Sequence, residues 1–140
     1  MDAECVLLCM KLNELPGVQT TESCCGHYKD TYKIFFDCDD FVSLGILTRC
    51  ADKRYSDGKW EIVCCGGDNH PLYGFLLRST CVFGSIDELN ESLKMLIESI
   101  NYWSSEGFKS YFETNGEYMK DKWKEGIWYR KDTKEQPNEE

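Results

Sequence analysis

Two short segments of the chain combine cysteine thiols, a histidine imidazole and glycine, which are groups that bind metals, attack electrophiles or let a backbone approach a ligand closely. The first occupies residues 20–27 with the sequence TTESCCGH, and the second occupies residues 64–70 with the sequence CCGGDNH. Each comes at the end of a run with the composition of a β-strand, residues 18–23 and residues 59–64. If these two strands are neighbours, their carboxyl ends bring both segments to one edge of a sheet. The pattern therefore predicts one composite site.

Metal binding is the first chemistry that these residue types suggest. Zinc takes four ligands in a tetrahedron, which in structural sites often come from paired Cys-x₂₋₄-Cys knuckles. Neither segment has that spacing, and adjacent cysteines on an extended chain point to opposite faces. We therefore expect no metal site, and instead one buried and one half-exposed thiol at a strand end. The zinc-competent residues are Cys24, Cys25, His27, Cys64, Cys65 and His70.

Nucleophilic catalysis is a second use for the same residues. A cysteine beside His27 or His70 could form a thiolate–imidazolium pair. No pattern supplies the third group that would orient the imidazole, and the sequence contains no Walker A, Gly-x-Gly-x-x-Gly, His-Glu-x-x-His or EF-hand pattern. The sequence therefore favours a binding protein over an enzyme, and no residue is assigned a catalytic role.

Ligand binding is the function that the polar strand end favours. Hydroxyl side chains and glycine amides offer hydrogen bonds, and turns with exposed backbone amides can cradle phosphate or carboxylate. Arg78 interrupts an apolar strand and would give an anion a bidentate contact, although an outward-facing arginine on a half-solvated sheet has the same pattern. The predicted ligand-binding residues are Thr21, Ser23, Cys24, Gly26, His27, Gly66, His70 and Arg78.

Length and charge restrict the partners of such a site. The 140 residues are enough for one domain, assigned to residues 1–130, with a flexible charged tail at residues 131–140. The net charge of −9 disfavours nucleic acid as a partner. No apolar run approaches the ~20 residues that cross a bilayer, and the acidic start is unlike a signal peptide. We expect a cytoplasmic protein with reduced thiols and no membrane partner, and the sequence leaves open whether it forms a homo-oligomer.

Hydrophobic spacing predicts the elements that position these residues. Ser85 and Glu88 form a capping box, after which apolar residues recur with helical spacing. The predicted order is α-β-β-α-β-β-α, an α+β fold in which helices cover a mixed or antiparallel sheet. An aromatic C-terminal extension at residues 108–130 is expected to cover part of the sheet. The predicted helices occupy residues 3–14, 39–50 and 85–104, and the predicted strands occupy residues 18–23, 32–38, 60–64 and 72–82.

Residues 20–27 resemble the Thr-Thr-Ser-Ser-Cys-Ser-Gly-Arg motif of the wybutosine-synthesis tRNA methyltransferase family, in which the motif also follows an N-terminal helix and precedes a strand. The resemblance implies an enzyme that uses S-adenosylmethionine. His27 stands where that motif has arginine, and Cys25 stands where it has serine. The resemblance therefore implies the fold and a nucleotide-sized pocket more than it implies the chemistry.

Residues 16–27 are also similar to a Pro-Gly-x-x-Thr-x-Glu-Ser-Cys-Cys-Gly-His segment shared by a group of short proteins from bacteria and their phages. This resemblance implies a phage protein that sequesters a nucleotide immune signal, an anti-defence sponge acting in the cytoplasm of a bacterial host. We therefore expect non-catalytic binding of a small nucleotide-like ligand, without a cofactor. The alternative is a tRNA methyltransferase-like enzyme with S-adenosylmethionine as its cofactor.

Overall fold

Helices and strands follow one another in the predicted order. The computed structural model describes residues 1–65 and 74–107. Its elements are α1 (Ala3–Asn13), β1 (Val18–Cys24), β2 (Lys33–Cys38), α2 (Phe41–Ala51), β3 (Trp60–Cys64), β4 (Gly74–Ser79) and α3 (Ile86–Tyr102). The α+β class is confirmed, and β4 is shorter than predicted because it ends at Ser79. The predicted aromatic extension and the predicted tail lie outside the described residues.

The strands described form one antiparallel sheet in the order β1-β2-β4-β3. The premise that β1 and β3 are neighbours is therefore wrong, since they are the two edge strands. Composition explains the order. The apolar runs Ile34–Phe36 and Phe75–Leu77 take the central positions in β2 and β4, where both neighbours are strands. The polar run of β1, residues 19–23, takes an edge, where unpaired backbone groups can be solvated.

Cross-strand register decides which strand ends meet. Cys24 at the end of β1 pairs with Lys33, Lys33 pairs with Arg78, and Arg78 faces the beginning of β3. Cys64 at the end of β3 pairs with the beginning of β4, at the opposite end of the sheet. The two Cys-Cys pairs are therefore separated by the length of the sheet, and the predicted composite site is wrong because antiparallel β1 and β3 do not finish at a common edge.

The three helices bury their apolar sides on one face of the sheet. Ile34, Phe36 and Leu77 are almost fully buried on that face, within one cluster that also contains residues from α1, α2 and α3. Side chains alternate along a strand, so Lys33 and Phe35 point to the other face and are half-buried. Among the described elements, this second face, called the open face below, has no helix packed on it.

Local sequence signals place the helix ends. The Ser85 side chain accepts a hydrogen bond from Glu88 N–H at 3.2 Å, as the predicted capping box requires. The Glu88 carboxylate reaches back one residue further than predicted and accepts from Gly84 N–H at 2.8 Å. Asp40 caps α2 in the same way, accepting from Ser43 N–H at 2.9 Å. No helix within residues 1–65 and 74–107 has the length and apolar character needed to cross a membrane.

Candidate functional site

The turn between β1 and β2 has an uncommon backbone. Gly26, His27 and Tyr28 adopt positive φ in succession, at 80°, 55° and 62°. Such angles are sterically costly for residues that carry a Cβ. Glycine is required at position 26, because a Cβ there would lie 2.8 Å from the carbonyl oxygen of Thr31. The turn thus holds His27 in a strained conformation, a feature that concentrates at functional sites.

Hydrogen bonds fasten this turn to the beginning of α1. Cys25 N–H donates to Asp2 Oδ2 at 2.9 Å, and Tyr28 Oη–H donates to Glu4 Oε2 at 3.3 Å. Asp2 occupies the N-cap position of α1, yet its side chain does not cap that helix. The bond from the Cys25 amide instead holds the pKa of the Asp2 carboxyl below its usual range. Asp2 is therefore a carboxylate of the turn, which the sequence analysis did not include because an acid before a helix is ordinarily a cap.

The adjacent cysteines have the different environments that their alternation predicts. Cys24 is exposed, whereas Cys25 is only 5% exposed. Burial raises the pKa of the Cys25 thiol to about 11. Cys25 Sγ lies 3.7 Å from His27 Nδ1, so the thiol nearest the imidazole is the one that burial keeps protonated. This arrangement makes Cys25 a weak nucleophile.

The backbone amides of the turn are directed at its own sulfur atoms. Gly26 N–H donates to Cys24 Sγ, and His27 N–H donates to Cys25 Sγ, each at 3.4 Å. The Cys25 amide is bonded to Asp2, as described above. The turn therefore presents the Cys24 thiol and the His27 imidazole to solvent rather than a cradle of free amides. His27 is the more exposed of the two partners in its contact with Asp2, with Nε2 3.8 Å from Asp2 Oδ2.

Two predicted hydroxyl ligands are used within the fold. Thr21 lies at a β-bulge, where the register between β1 and β2 shifts, and its Oγ1–H donates to the carbonyl oxygen of Phe35 at 3.2 Å. Ser23 pairs with the buried Ile34 and therefore points to the helix-covered face. Ser23 and Cys24 thus lie on opposite faces of the sheet, and the structure does not bring Ser23 to the exposed thiol.

Arg78 shares a row with Cys24 on the open face, with Lys33 between them. Neighbouring strands lie about 4.8 Å apart, so about 10 Å separates the backbones at Cys24 and Arg78. The Arg78 guanidinium donates from Nε to Glu61 Oε2 at 2.5 Å, and both side chains are about two-fifths exposed. Lys33 Nζ lies 3.2 Å from Asp30 Oδ2. Sequence analysis did not select Lys33, because an isolated lysine in a strand carries no signal until the register is known.

The two remaining predicted ligands, Gly66 and His70, lie outside the described residues. The chain enters that segment from Cys65, whose N–H donates to the carbonyl oxygen of Gly74 at 2.9 Å. This bond closes the end of the β3–β4 pair that is remote from Cys24. The structure therefore brings together Cys24, Gly26 and His27 and aligns Arg78 with them.

Comparisons of the chain with protein-family models, with curated proteins and with solved structures found no match. The class is therefore given by the fold alone: an α+β protein with an antiparallel sheet and helices on one face.

Proposed function

We propose that this protein binds a small nucleotide-like ligand on the open face of the sheet, at the end where β1 finishes. The observation that supports the proposal is the row of Cys24, Lys33 and Arg78 across three neighbouring strands. The two cations stand on adjacent strands, and about 10 Å lies between the outer members of the row. That span matches one nucleotide, so the phosphate group of a single ligand can reach both cations.

Both cations are paired with carboxylates, which hold the two side chains in a defined position. The partly exposed pairs Lys33–Asp30 and Arg78–Glu61 keep the cationic heads in place. Exposed ion pairs of this kind contribute only ~0–1 kcal/mol each, so a phosphate can displace the carboxylates at small cost. A bidentate arginine contact to phosphate is stronger than the pair it replaces.

An aromatic ring on which a base could stack lies next to the row of Cys24, Lys33 and Arg78, on the same face of the sheet. Phe35 is two residues from Lys33 in β2 and is half-buried. Its cross-strand partner Leu76 lies beside it but is only 7% exposed, and its partner on the other side is Glu22. Bases stack on aromatic rings with ~1–3 kcal/mol per base. The open face therefore offers the half-buried ring of Phe35 to a base and the Lys33 and Arg78 side chains, one row away, to a phosphate.

The sequestering role and the alternative enzyme both rest on resemblance. The two hypotheses predict different ligands, a nucleotide signal for the first and S-adenosylmethionine for the second. A sponge binds a nucleotide signal and releases it unchanged. S-adenosylmethionine carries a sulfonium and an ammonium group, so two neighbouring cations favour a phosphorylated ligand over it. We therefore place S-adenosylmethionine second, as the comparison ligand of the test.

The test is isothermal calorimetry with cyclic nucleotides, ADP-ribose derivatives and S-adenosylmethionine. Arg78→Ala should weaken binding of a phosphorylated ligand about 10-fold, since hydrogen bonds to charged groups contribute ~1.5–3 kcal/mol and this one is partly exposed. Glu61→Gln frees the guanidinium and should tighten binding up to about 5-fold. Arg54→Ala is the matched control, because Arg54 is paired with Asp52 in the same manner but lies after α2.

Three results would contradict the proposal. They are no heat with any phosphorylated ligand at about 1 mM, equal binding by the Arg78→Ala and wild-type proteins, and tight binding of S-adenosylmethionine alone. Ligand recovered unchanged after incubation, measured by mass spectrometry, separates a sponge from a degrading enzyme.

A further inference from the structure

Three side chains of different chemistry converge where the β1–β2 turn meets the beginning of α1. They are the Asp2 carboxylate, the Cys24 thiol and the His27 imidazole, and one ligand atom from each lies within 4.8 Å of the others. Oxygen, sulfur and nitrogen donors of these types are those that zinc binds. We propose that Asp2, Cys24 and His27 form a binding site for Zn²⁺ or a similar divalent transition-metal ion, with the fourth position open to water or a ligand.

The distances suit an ion after a small adjustment. In a tetrahedral zinc site, bond lengths of about 2.0–2.3 Å put the ligand atoms roughly 3.3–3.7 Å apart. The His27 Nε2 to Asp2 Oδ2 distance of 3.8 Å is close to that range. The three ligand atoms lie within 4.8 Å of one another, so they must approach by up to about 1–1.5 Å. The His27 side chain is 67% exposed and can move by this amount without displacing the core.

Each proposed ligand already has a hydrogen-bonding partner that orients it. Gly26 N–H donates to Cys24 Sγ, which orients the sulfur. Cys25 N–H donates to Asp2 Oδ2, which favours the carboxylate. Cys25 Sγ lies 3.7 Å from His27 Nδ1, so a partner stands ready for the Nδ1–H of an imidazole that binds through Nε2. Such outer contacts are typical of metal sites.

The backbone of the turn supports the same inference. Because His27 adopts the left-handed region, the chain folds back after Cys24. The His27 imidazole is thereby brought close to the Cys24 thiol. A turn that served only to fasten α1 would need the bond between Asp2 and the Cys25 amide, and it would need neither an exposed thiol nor an imidazole at this place. The site also explains why the sequence pattern did not suggest it, since one of its ligands is an aspartate far from the Cys-Cys pair in the sequence.

The first test is cobalt titration of tag-free, reduced protein, followed by absorption of the thiolate-to-cobalt charge-transfer band. We expect one ion per chain, a band that is lost in Cys24→Ser, and a band that is retained in Cys64→Ser. Cys64 is the matched control because it is likewise exposed at a strand end, but at the opposite end of the sheet. A missing band, a band that survives in Cys24→Ser, or several ions per chain would overturn the proposal.

The second test uses the wild-type chain and therefore does not depend on the folding of a variant. Zinc should protect the Cys24 peptide from alkylation, as measured by mass spectrometry, and leave Cys64 as reactive as before. Equal protection of both thiols, or protection of neither, would mean that zinc binds adventitiously or not at all, and would overturn the proposal.

Two further variants test the other ligands while keeping the turn intact. His27→Asn retains a residue that tolerates the left-handed region, and Asp2→Asn retains an acceptor for the Cys25 amide. Both should lower zinc affinity at least about 10–100-fold, the loss that even outer-shell changes cause, with metal-free melting temperatures close to that of the wild type. Wild-type zinc affinity in both variants would show that the contact only fastens α1 to the turn.

Discussion

The substitution Gly26→Ala tests the conformation of the turn on which the proposed metal site depends. Gly26 has φ of 80°, and a Cβ on it would lie 2.8 Å from the carbonyl oxygen and 3.0 Å from the carbonyl carbon of Thr31. Alanine in the left-handed region costs ~1–2 kcal/mol, and overpacking against backbone that cannot rotate away costs ~1–3 kcal/mol. We expect a loss of about 2–4 kcal/mol in the free energy of unfolding, a large part of the ~5–15 kcal/mol typical of a domain.

Gly45→Ala is the control, because the same chemical change should have the opposite sign. Gly45 lies in the interior of α2, and nothing lies within 4 Å of a Cβ built on it. Alanine is favoured over glycine there by ~0.8–1.0 kcal/mol. Urea unfolding followed by far-ultraviolet circular dichroism measures both variants. If Gly26→Ala unfolds within about 0.5 kcal/mol of the wild type, the turn has another conformation in solution and the placement of His27 is wrong.

Three further predictions concern the buried groups and the thiols. Burial raises the pKa of the Cys50 thiol to about 11, so the unfolded chain loses this proton first and stability should fall as the pH rises from about 9 to 11. Urea melts across that range should show a smaller fall in Cys50→Ala. Ser92→Ala should cost ~1–3 kcal/mol, because it leaves the buried Trp60 Nε1–H without its 2.9 Å acceptor. In metal-free native protein, Cys24 and Cys64 should react with a thiol reagent much faster than Cys50, as peptide mapping would show.

The parts of this fold that were predictable are those set by neighbours in the sequence. The capping serine at position 85 and the apolar spacing after it locate α3 because a helix is built from contacts three and four residues apart. The bounds of β3 were also predicted, because a short run of apolar and β-branched residues after a turn is typical of a strand. Alternation along β4 puts Phe75 and Leu77 on the helix-covered face and Leu76 on the other, as in any strand.

The candidate site was less predictable because pairing between distant strands decides it. A carboxyl-end rule for neighbouring strands placed Cys24 and Cys64 together, but the antiparallel order sends the ends of β1 and β3 in opposite directions. The same register made Lys33 a neighbour of Arg78. Asp2 was missed for a comparable reason, since its contact with the Cys25 amide spans 23 residues and no local pattern encodes it.

The two proposals share Cys24, so an ion at the turn should alter nucleotide affinity, and the size of the effect indicates how. Zn²⁺ bound by a carboxylate and a thiolate forms a neutral unit, so its binding removes at least one negative charge from this end of the sheet. Through solvent at about 10 Å, a unit charge contributes only ~0.4 kcal/mol per ligand charge, or about a 2-fold gain in affinity. If a ligand oxygen instead takes the open coordination position, the gain should be well above 10-fold, more than ~1.4 kcal/mol.

Calorimetry with and without zinc distinguishes these cases, and the His27→Asn variant corrects for zinc that nucleotides bind in solution. Reciprocity requires that the nucleotide raise zinc affinity by the same factor by which zinc raises nucleotide affinity. A gain near 2-fold in both directions would place the phosphate at the Lys33–Arg78 end of the row, away from the ion. A gain well above 10-fold that is lost in His27→Asn would place it on the ion. Nucleotide binding of unchanged affinity in chelator, in zinc and in the variant, measured at low ionic strength so that charges about 10 Å apart are little screened, would mean that the ligand lies elsewhere.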